Sequence, residues 1–401
     1  MTDSMVCGGV EKSLLSLLAA LEGWEIDLLL TWQTGSLLPL VPAAVRVREV
    51  PLLPGARYEW RHGRRRAMAA ALISGRWGDA LRLLWRRGIR MRLLVPPAQR
   101  RLRTFLELVD MRQWDASRTY DLAVAYGDTP EILGFVAERV PAHRKMAWIH
   151  NDFPVAHFDR AGLAKVYRTY DEVGACSQEL AAQMTARLRP WGVPVRYFPY
   201  FLDAALFDRL AQAYDPFPAA AAGLRVVSIG RICEQKGYDL ALEACRLLQA
   251  QGVDTEWTLV GDGPDAPALR QRSAQLGLAD RFRLVGLRTN PYPFIKQCDI
   301  YVQPSRYEGY CLTLAEARLL CRPIVTTAFT GAREQIRDGE TGLLVDATPA
   351  AIAAGVARLA REPALRAALA ENLQREKAVN RDLAALRRLV EAGTGKGDEG
   401  R

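Results

Sequence analysis

With 401 residues, 49% hydrophobic and 25% charged, the chain has the make-up of a globular protein of about two domains, which excludes disordered, collagen-like and disulfide-scaffold classes. Its formal charge of +9, from 54 Lys+Arg against 45 Asp+Glu, is unevenly spread. No apolar run reaches the roughly 18 residues needed to span a bilayer, and Leu14–Leu21 lacks the basic leader and cleavage site of a secretory signal.

In chain order, Met1–Cys7 leads into Gly8-Gly9 and a helix over Val10–Leu21, with no apolar strand before the glycines. Strands follow at Glu25–Trp32, Val45–Val50, Asp121–Tyr126, Lys145–His150, Glu172–Cys176 and Val195–Tyr200, with helices between them, notably Arg64–Ile73 and Ala98–Met111. Asp-Pro-Phe-Pro and small residues within Tyr214–Gly223 read as a linker. A second alternating unit has strands at Arg225–Ile229, Glu256–Val260, Arg283–Val285, Ile300–Gln303, Pro323–Thr327 and Gly342–Val345, and helices at Asp239–Ala250, Ala266–Leu276 and Thr313–Leu320. From Pro349 the sequence is helical, ending in a polar tail. Alternation of this kind predicts an α/β protein of two doubly wound domains facing each other across a cleft. The boundaries are 1–205, a linker over 206–223, a second domain over 224–375, and a terminal helix and tail over 376–401.

Seven cysteines (Cys7, Cys176, Cys233, Cys245, Cys298, Cys311 and Cys321) are scattered with no CxxC or Cys/His cluster, which points to free thiols in a reducing cytoplasm. Between Arg57 and Arg103 lie fourteen arginines against Glu59 and Asp79, about +12, interleaved with Trp60, Trp77 and Trp85. Such a stretch suits a helix lying on an anionic membrane surface. The plainer alternative is a solvated charged face over a buried Leu stripe. No nucleic-acid motif accompanies the charge, so no nucleic-acid partner is expected.

Five features can carry chemistry. In Ser305–Ala317, Glu308 and Glu316 sit eight apart where a buried strand turns into a helix. Both can face a ligand at the carboxyl edge of the sheet. Amides from Gly309 through Tyr310, Cys311 and Leu312 to Thr313 would suit a diphosphate, and Glu316 a ribose diol. The alternative is an ordinary loop glutamate followed by a helix-start glutamate. Gly230-Arg231 and Lys236-Gly237 follow another strand, and two cations on one loop can clamp a diphosphate. Gly8 and Gly9 permit close backbone approach, or simply form a helix-entry turn. Asp262, in a glycine turn after a third strand, is a ligand candidate or the cap of the next helix. His150 ends a strand of the first domain, as a cleft residue or as a packed structural histidine.

In combination, the Gly-Arg…Lys-Gly loop at 230–237, Glu308-x7-Glu316 and the Gly331…Glu334-Gln335-Ile336…Gly342 segment resemble the retaining, nucleotide-sugar-dependent glycosyltransferases of family 4. Cys7–Leu14 and Asn290-Pro291-Tyr292 are most similar to bacterial transferases of lipopolysaccharide core and capsule. The resemblance implies a GT-B fold with a C-terminal helix packing back toward the N-terminal domain. It further implies transfer of a hexose or N-acetylhexosamine, favouring a UDP-sugar, to a lipid-linked, lipopolysaccharide or capsular acceptor. Arg231 and Lys236 would hold the donor diphosphate, Glu308 the sugar hydroxyls and Glu316 the ribose. The amides around Gly309–Leu312, with Gly8 and Gly9, would approach phosphate and sugar, and His150 would line the acceptor side. No metal or other cofactor is implied. The enzyme would be cytoplasmic and peripheral on the inner membrane face. A sugar-nucleotide epimerase of similar fold, or a GT-B protein inactive through loss of its first strand, stays open at this point.

Overall fold

A computed structural model of the chain describes residues 1–6, 8–21, 23–53, 100–127, 129–150, 165–217 and 223–379. After the extended residues Met1–Asp3 comes helix α1 (Gly9–Ala20). Next are β1 (Asp27–Leu30), β2 (Arg46–Glu49), α2 (Arg100–Leu108), β3 (Tyr120–Tyr126), α3 (Pro130–Arg139), β4 (Ala142–Ile149), β5 (Glu172–Ala175), α4 (Gln178–Leu188) and β6 (Val195–Tyr197). Apart from α1, these belong to the first of two units. The strands pair in parallel as β1-β2 and β3-β4-β5-β6. Their local signals are plain: Thr129 and Ser177 cap α3 and α4 through their hydroxyls, with Pro130 at the first helical position of α3. The last four residues of β4, Met146–Ile149, are all buried, as a parallel strand covered on both faces requires.

Residues 1–3 occupy the position between β1 and β3. Thr2 N–H donates to Leu29 O at 3.1 Å, Thr31 N–H donates to Thr2 O, and Tyr126 N–H donates to Met1 O. The Met1 ammonium donates to Val124 O at 2.7 Å. Beside this short segment the main chain gives way to side chains. The Tyr120 hydroxyl donates to Asp27 at 2.7 Å, and Arg46 and Arg118 also bind that carboxylate. Burial pushes the Asp27 carboxyl up, but the bonds from Tyr120 and Arg46 outweigh it and leave it below its ordinary value. A cavity of about 70 Å³, lined among others by Met1, Leu29, Leu122 and Val124, adjoins these groups.

The second unit comprises α1 together with α5 (Ala204–Ala211), β7 (Leu224–Ile229), α6 (Tyr238–Ala250), β8 (Thr255–Val260), α7 (Ala266–Gln275), β9 (Phe282–Gly286), α8 (Tyr292–Gln297), β10 (Ile300–Gln303), α9 (Leu312–Leu319), β11 (Ile324–Thr327), α10 (Thr330–Gln335), β12 (Leu343–Val345), α11 (Pro349–Arg361) and α12 (Pro363–Val379). Its parallel sheet runs β12-β11-β10-β7-β8-β9. Strand order therefore reverses between β7 and β10, the switch point outside which open α/β sheets place their ligands. One apolar cluster joins α6, α7 and α11 through Leu242, Leu248, Leu269, Trp257 and Val356. The other joins α5, α8 and α9 through Phe207, Tyr292 and Leu314.

Three sequence expectations differ from this arrangement. The helix after Gly8-Gly9 packs with the second unit, although the chain on either side of it belongs to the first. The start of the expected linker, 206–211, is helical, because Phe207 and Ala211 are buried in the core of the second unit. Helix α12 runs unbroken through residue 376. The expected return of the chain beyond Val379, residues 218–222 of the linker and the helix at Arg64–Ile73 lie outside the described residues, as does Arg57–Arg92 of the basic stretch. Of that stretch, Arg103 pairs with Glu138 at 3.0 Å, while α2 buries Phe105, Leu106 and Leu108. No helix among the described residues is long and apolar enough to cross a membrane, and the six described cysteines are free thiols.

Candidate functional site

The loops leaving β7 and β10 form the centre of the site. After β7 a single 3₁₀ turn, Glu234–Lys236, ends at Gly237, whose φ of +67° is left-handed. A Cβ there would stand 2.1 Å from Pro304 O, so only glycine lets this turn lie against the loop after β10. Further contacts join the two loops. Arg306 N–H donates to Gln235 O at 2.8 Å, Gln235 Nε2 donates to Tyr307 O at 3.1 Å, and the Arg306 guanidinium binds Glu234 O and, bidentately, Asp239. Lys236 and Glu308 are thereby brought into direct ion-pair contact, their side chains 16% and 10% exposed.

Beneath this pair runs a buried relay. Ser305 Oγ donates to Glu308 Oε1 at 2.9 Å and accepts from Gln303 Nε2 at 2.8 Å. Gln303 Oε1 accepts from the hydroxyls of Tyr301 (2.8 Å) and Thr313 (3.0 Å). Burial pulls the proton affinity of Lys236 down, but the neighbouring Cys311 and Glu308 groups more than offset it, so its pKa is raised. The Cys311 thiol is itself pushed up to about 12 by burial and stays protonated at neutral pH. The Glu308 carboxylate is therefore the charge that holds the ammonium. Tyr238, whose hydroxyl has no hydrogen-bond partner, is buried beside Gly230.

The turn into α9 is gripped from its other side. Gly331 approaches so closely that a Cβ would lie 2.7 Å from both Gly309 O and Tyr310 O, and Gln335 Nε2 donates to Tyr310 O. This explains the Gly331…Gln335 segment as a clamp on the 309–311 loop. Cys311 is one of only two non-glycine residues with positive φ among the described residues, at +70°, where a β-branched side chain would be strained.

One turn into α9, Glu316 is 1% exposed. Its Oε1 accepts from the Tyr292 hydroxyl at 3.1 Å and lies 3.6 Å from Lys12 Nζ, whose side chain is 11% exposed. Its Oε2 has no hydrogen-bond partner. Asn290-Pro291-Tyr292 serves this contact. Asn290 Nδ2 donates to Leu210 O at 2.7 Å, its Oδ1 accepts from Tyr292 N–H, and the Tyr292 ring packs edge-on against Phe207. Lys12 arrives on α1, and Gly9 permits the approach, since a Cβ there would stand 2.7 Å from Leu312 Cδ1. A Cβ at Gly8 would meet the flexible end of Glu11 first.

The structure thus brings together Lys236, Glu308 and Cys311 in one group and Gly9, Leu312 and Glu316 in another. Arg231 follows β7 and is exposed. Asp262 is also exposed; its Oδ1 accepts from Gly263 N–H at 2.8 Å, and its carbonyl from Ile232 N–H. It does not cap α7, whose N-cap residue is Asp265. His150, in the first unit, is 4% exposed and packs on Tyr126 and Trp148 with ring centroids 4.7 and 6.0 Å away. Burial lowers its pKa to about 3, so the ring is neutral at physiological pH, as in the structural alternative. Sequence reasoning assigned no side-chain role to Lys12, Tyr292, Gln303, Ser305 or Thr313, although the Thr313 amide was counted with those of Gly309–Leu312 for a diphosphate. The first two lie within segments quoted above for their likeness, and that was their only signal. A cavity of about 470 Å³ between α6 and α7, lined by Ile232, Tyr238, Glu243 and Arg272 among others, includes none of the candidate charges.

Residues 219–376, which fall within the second unit, match the family model described as Glycosyl transferases group 1. The alpha-D-kanosaminyltransferase of Streptomyces kanamyceticus is 34% identical over 151 residues, 37% of this chain and 39% of its own length. The lipopolysaccharide core biosynthesis glycosyltransferase LpsE of Rhizobium meliloti is 32% identical over 147 residues, 36% and 42% of the two chains. The chain thus spans about two fifths of the length of these curated relatives. Over the full length, the crystal structure of Anabaena HepE in complex with UDP and glucose superposes with a TM-score of 0.65 at 18% identity, covering 99% of this chain and 100% of that one. The fold is that of the GT-B glycosyltransferases, with two Rossmann-like units.

Proposed function

We propose that this protein is a glycosyltransferase of lipopolysaccharide or related polysaccharide synthesis. It moves a hexose or N-acetylhexosamine, with retention of configuration, from a nucleotide sugar (UDP-linked by preference) to a glycan or lipid-linked acceptor. The observation that carries this reading is the pairing of Lys236 with Glu308 at the strand-order switch point, next to the loop that leads to the half-satisfied, buried Glu316. In this reading Lys236 and Arg231 take the charge that develops on the diphosphate as the glycosidic bond breaks. The start of α9, with the amides of Gly309–Leu312, cradles the phosphates. Glu308, held by Ser305, accepts from a sugar hydroxyl, and Glu316 accepts from the ribose. The departing phosphate takes the acceptor's proton, so no side-chain nucleophile is assigned and no acid–base step falls to His150. The relative named for lipopolysaccharide core biosynthesis supports the acceptor class, and the UDP-bound HepE structure supports the donor.

The test is thermal unfolding of the full chain with UDP, GDP and UDP-sugars, followed by nucleotide release in the presence of candidate acceptors. One nucleotide at about a hundredfold over its Kd contributes roughly 2.7 kcal/mol and raises Tm by several degrees. Absence of any shift would remove the donor site. The Arg57–Arg103 stretch is proposed to hold the enzyme on an anionic membrane surface from the cytoplasmic side. Gln at Arg64, Arg65, Arg66, Arg86 and Arg87 should then weaken binding to anionic vesicles, and binding that survives at moderate salt would refute it.

A further inference from the structure

Lys12 is almost buried, yet it lies on a helix of mixed composition far from Glu316 in sequence. Burying an ammonium is costly unless it is paired and well surrounded. Here it has two partners, the Glu316 carboxylate at 3.6 Å and the face of Tyr292 at 4.7 Å. Both partners act on the same oxygen, since Tyr292 donates to Glu316 Oε1 as well. The helix carrying Lys12 is fixed by Gly9 against Leu312 and by Ser13 Oγ donating to Phe201 O at 3.3 Å. One carboxylate oxygen is therefore held from two directions. The other, Oε2, is buried and without a partner, an arrangement that costs free energy until a donor arrives.

We propose that Lys12 is a positioning residue for a nucleoside diphosphate: with Tyr292 it fixes Oε1 of Glu316 so that the buried Oε2 is presented to the vicinal hydroxyls of the ribose. The inference rests on the nucleotide-binding reading above and deepens it. Lys12 itself touches neither phosphate nor sugar. It sets the rotamer of the carboxylate, and the energy it contributes is realised only when a diol is present.

Binding of UDP and GDP to the full chain is measured by calorimetry, and whichever binds is compared with its 2′,3′-dideoxy form. Lys12→Met should weaken the diol-bearing nucleotide about tenfold, the scale of one hydrogen bond to a charged group, and leave the dideoxy form unchanged. Lys12→Arg should restore most of the loss, and steady-state turnover of Lys12→Met should show raised KM with nearly unchanged kcat. Equal weakening of both nucleotides, or no change in either, overturns the inference. If Glu316→Gln loses the diol preference while Lys12→Met keeps it, the nucleotide reading stands and the role of Lys12 falls. If neither UDP nor GDP binds the unaltered chain, both fall together. Should Lys12→Met fail to fold, Tyr292→Phe, which removes a single oxygen, carries the test. It must lower affinity only for the diol-bearing form, and an equal effect on the dideoxy form refutes the arrangement.

Discussion

The two units treat their polar side chains at strand ends in opposite ways. In the second, Lys236, Glu308 and Glu316 are partly or wholly buried and paired with opposite charge, Lys236 with Glu308 over the Ser305–Gln303 relay and Glu316 with Lys12 and Tyr292 in a separate group. In the first, His150 sits in the corresponding kind of place, one residue past a strand, and is packed among aromatic rings in its neutral form. A strand end alone therefore says little about chemistry. What marks the place in the second unit is that neighbouring loops bring an opposite charge and hydrogen-bonding side chains to Lys236 and Glu308, whereas the described surroundings of His150 include the rings of Tyr126 and Trp148.

The largest effect that could break this contrast is on turnover. Lys236→Ala should lower kcat by on the order of 10²–10³, with a smaller change in nucleotide affinity, because its charge is matched to the departing diphosphate. A steady-state assay that found turnover intact would place the chemistry elsewhere. Next comes the pH dependence of stability. The unfolded imidazole of His150 takes a proton near its ordinary value of 6.5, while the folded one does so only near 3. Between these values the unfolded state binds more protons, so this group lowers stability progressively as pH falls from about 6.5 to 3 and adds no slope below that. The accumulated cost is on the order of a few kcal/mol. Urea titrations of the protein and of His150→Phe across that range should differ in slope; parallel curves would show that the ring is not buried in its neutral form.

Two smaller effects sharpen the picture of the second unit. Gly237→Ala combines a left-handed backbone with a clash against Pro304 O, and should cost about 2–3 kcal/mol in unfolding experiments. A neutral outcome would mean that the two loops are not in contact. Arg306→Gln removes a largely solvent-facing pair with Asp239, and should cost less than about 1 kcal/mol. A larger loss would mean that this arginine, rather than the glycine, holds the loops together.

Much of the architecture could be read from the sequence because β-type runs in parallel sheets are locally apolar. Twelve strands were expected and all twelve form, their ends shifted by up to about three residues. Boundaries drifted where hydrogen bonding rather than hydropathy ends a strand, as at Val195–Tyr197, beyond which Phe198 makes a single further bond to Ala175. The pair of Glu308 with Lys236 was legible as two motifs, though not as a contact, because they are 72 residues apart and are brought together by loop contacts of Gly237, Gln235 and Arg306. Lys12 and Tyr292 gave no sign of converging on Glu316. Their meeting depends on α1 packing with a unit that the chain enters for this one helix and then leaves. The helix at Ala204–Ala211 was hidden behind a proline-rich segment that follows it.

That excursion of α1 has a consequence for modularity. The second unit is not a continuous length of polypeptide, so a fragment beginning at Tyr200 would not reproduce it. Such a fragment lacks Lys12 beside Glu316, leaves Leu312 without Gly9 and Phe201 O without Ser13, and turns a buried carboxylate into one open to water. Nucleotide affinity measured on it would describe a different site. Exchanging the amino-terminal half between related chains would likewise import a foreign α1, and with it a foreign neighbour for Glu316.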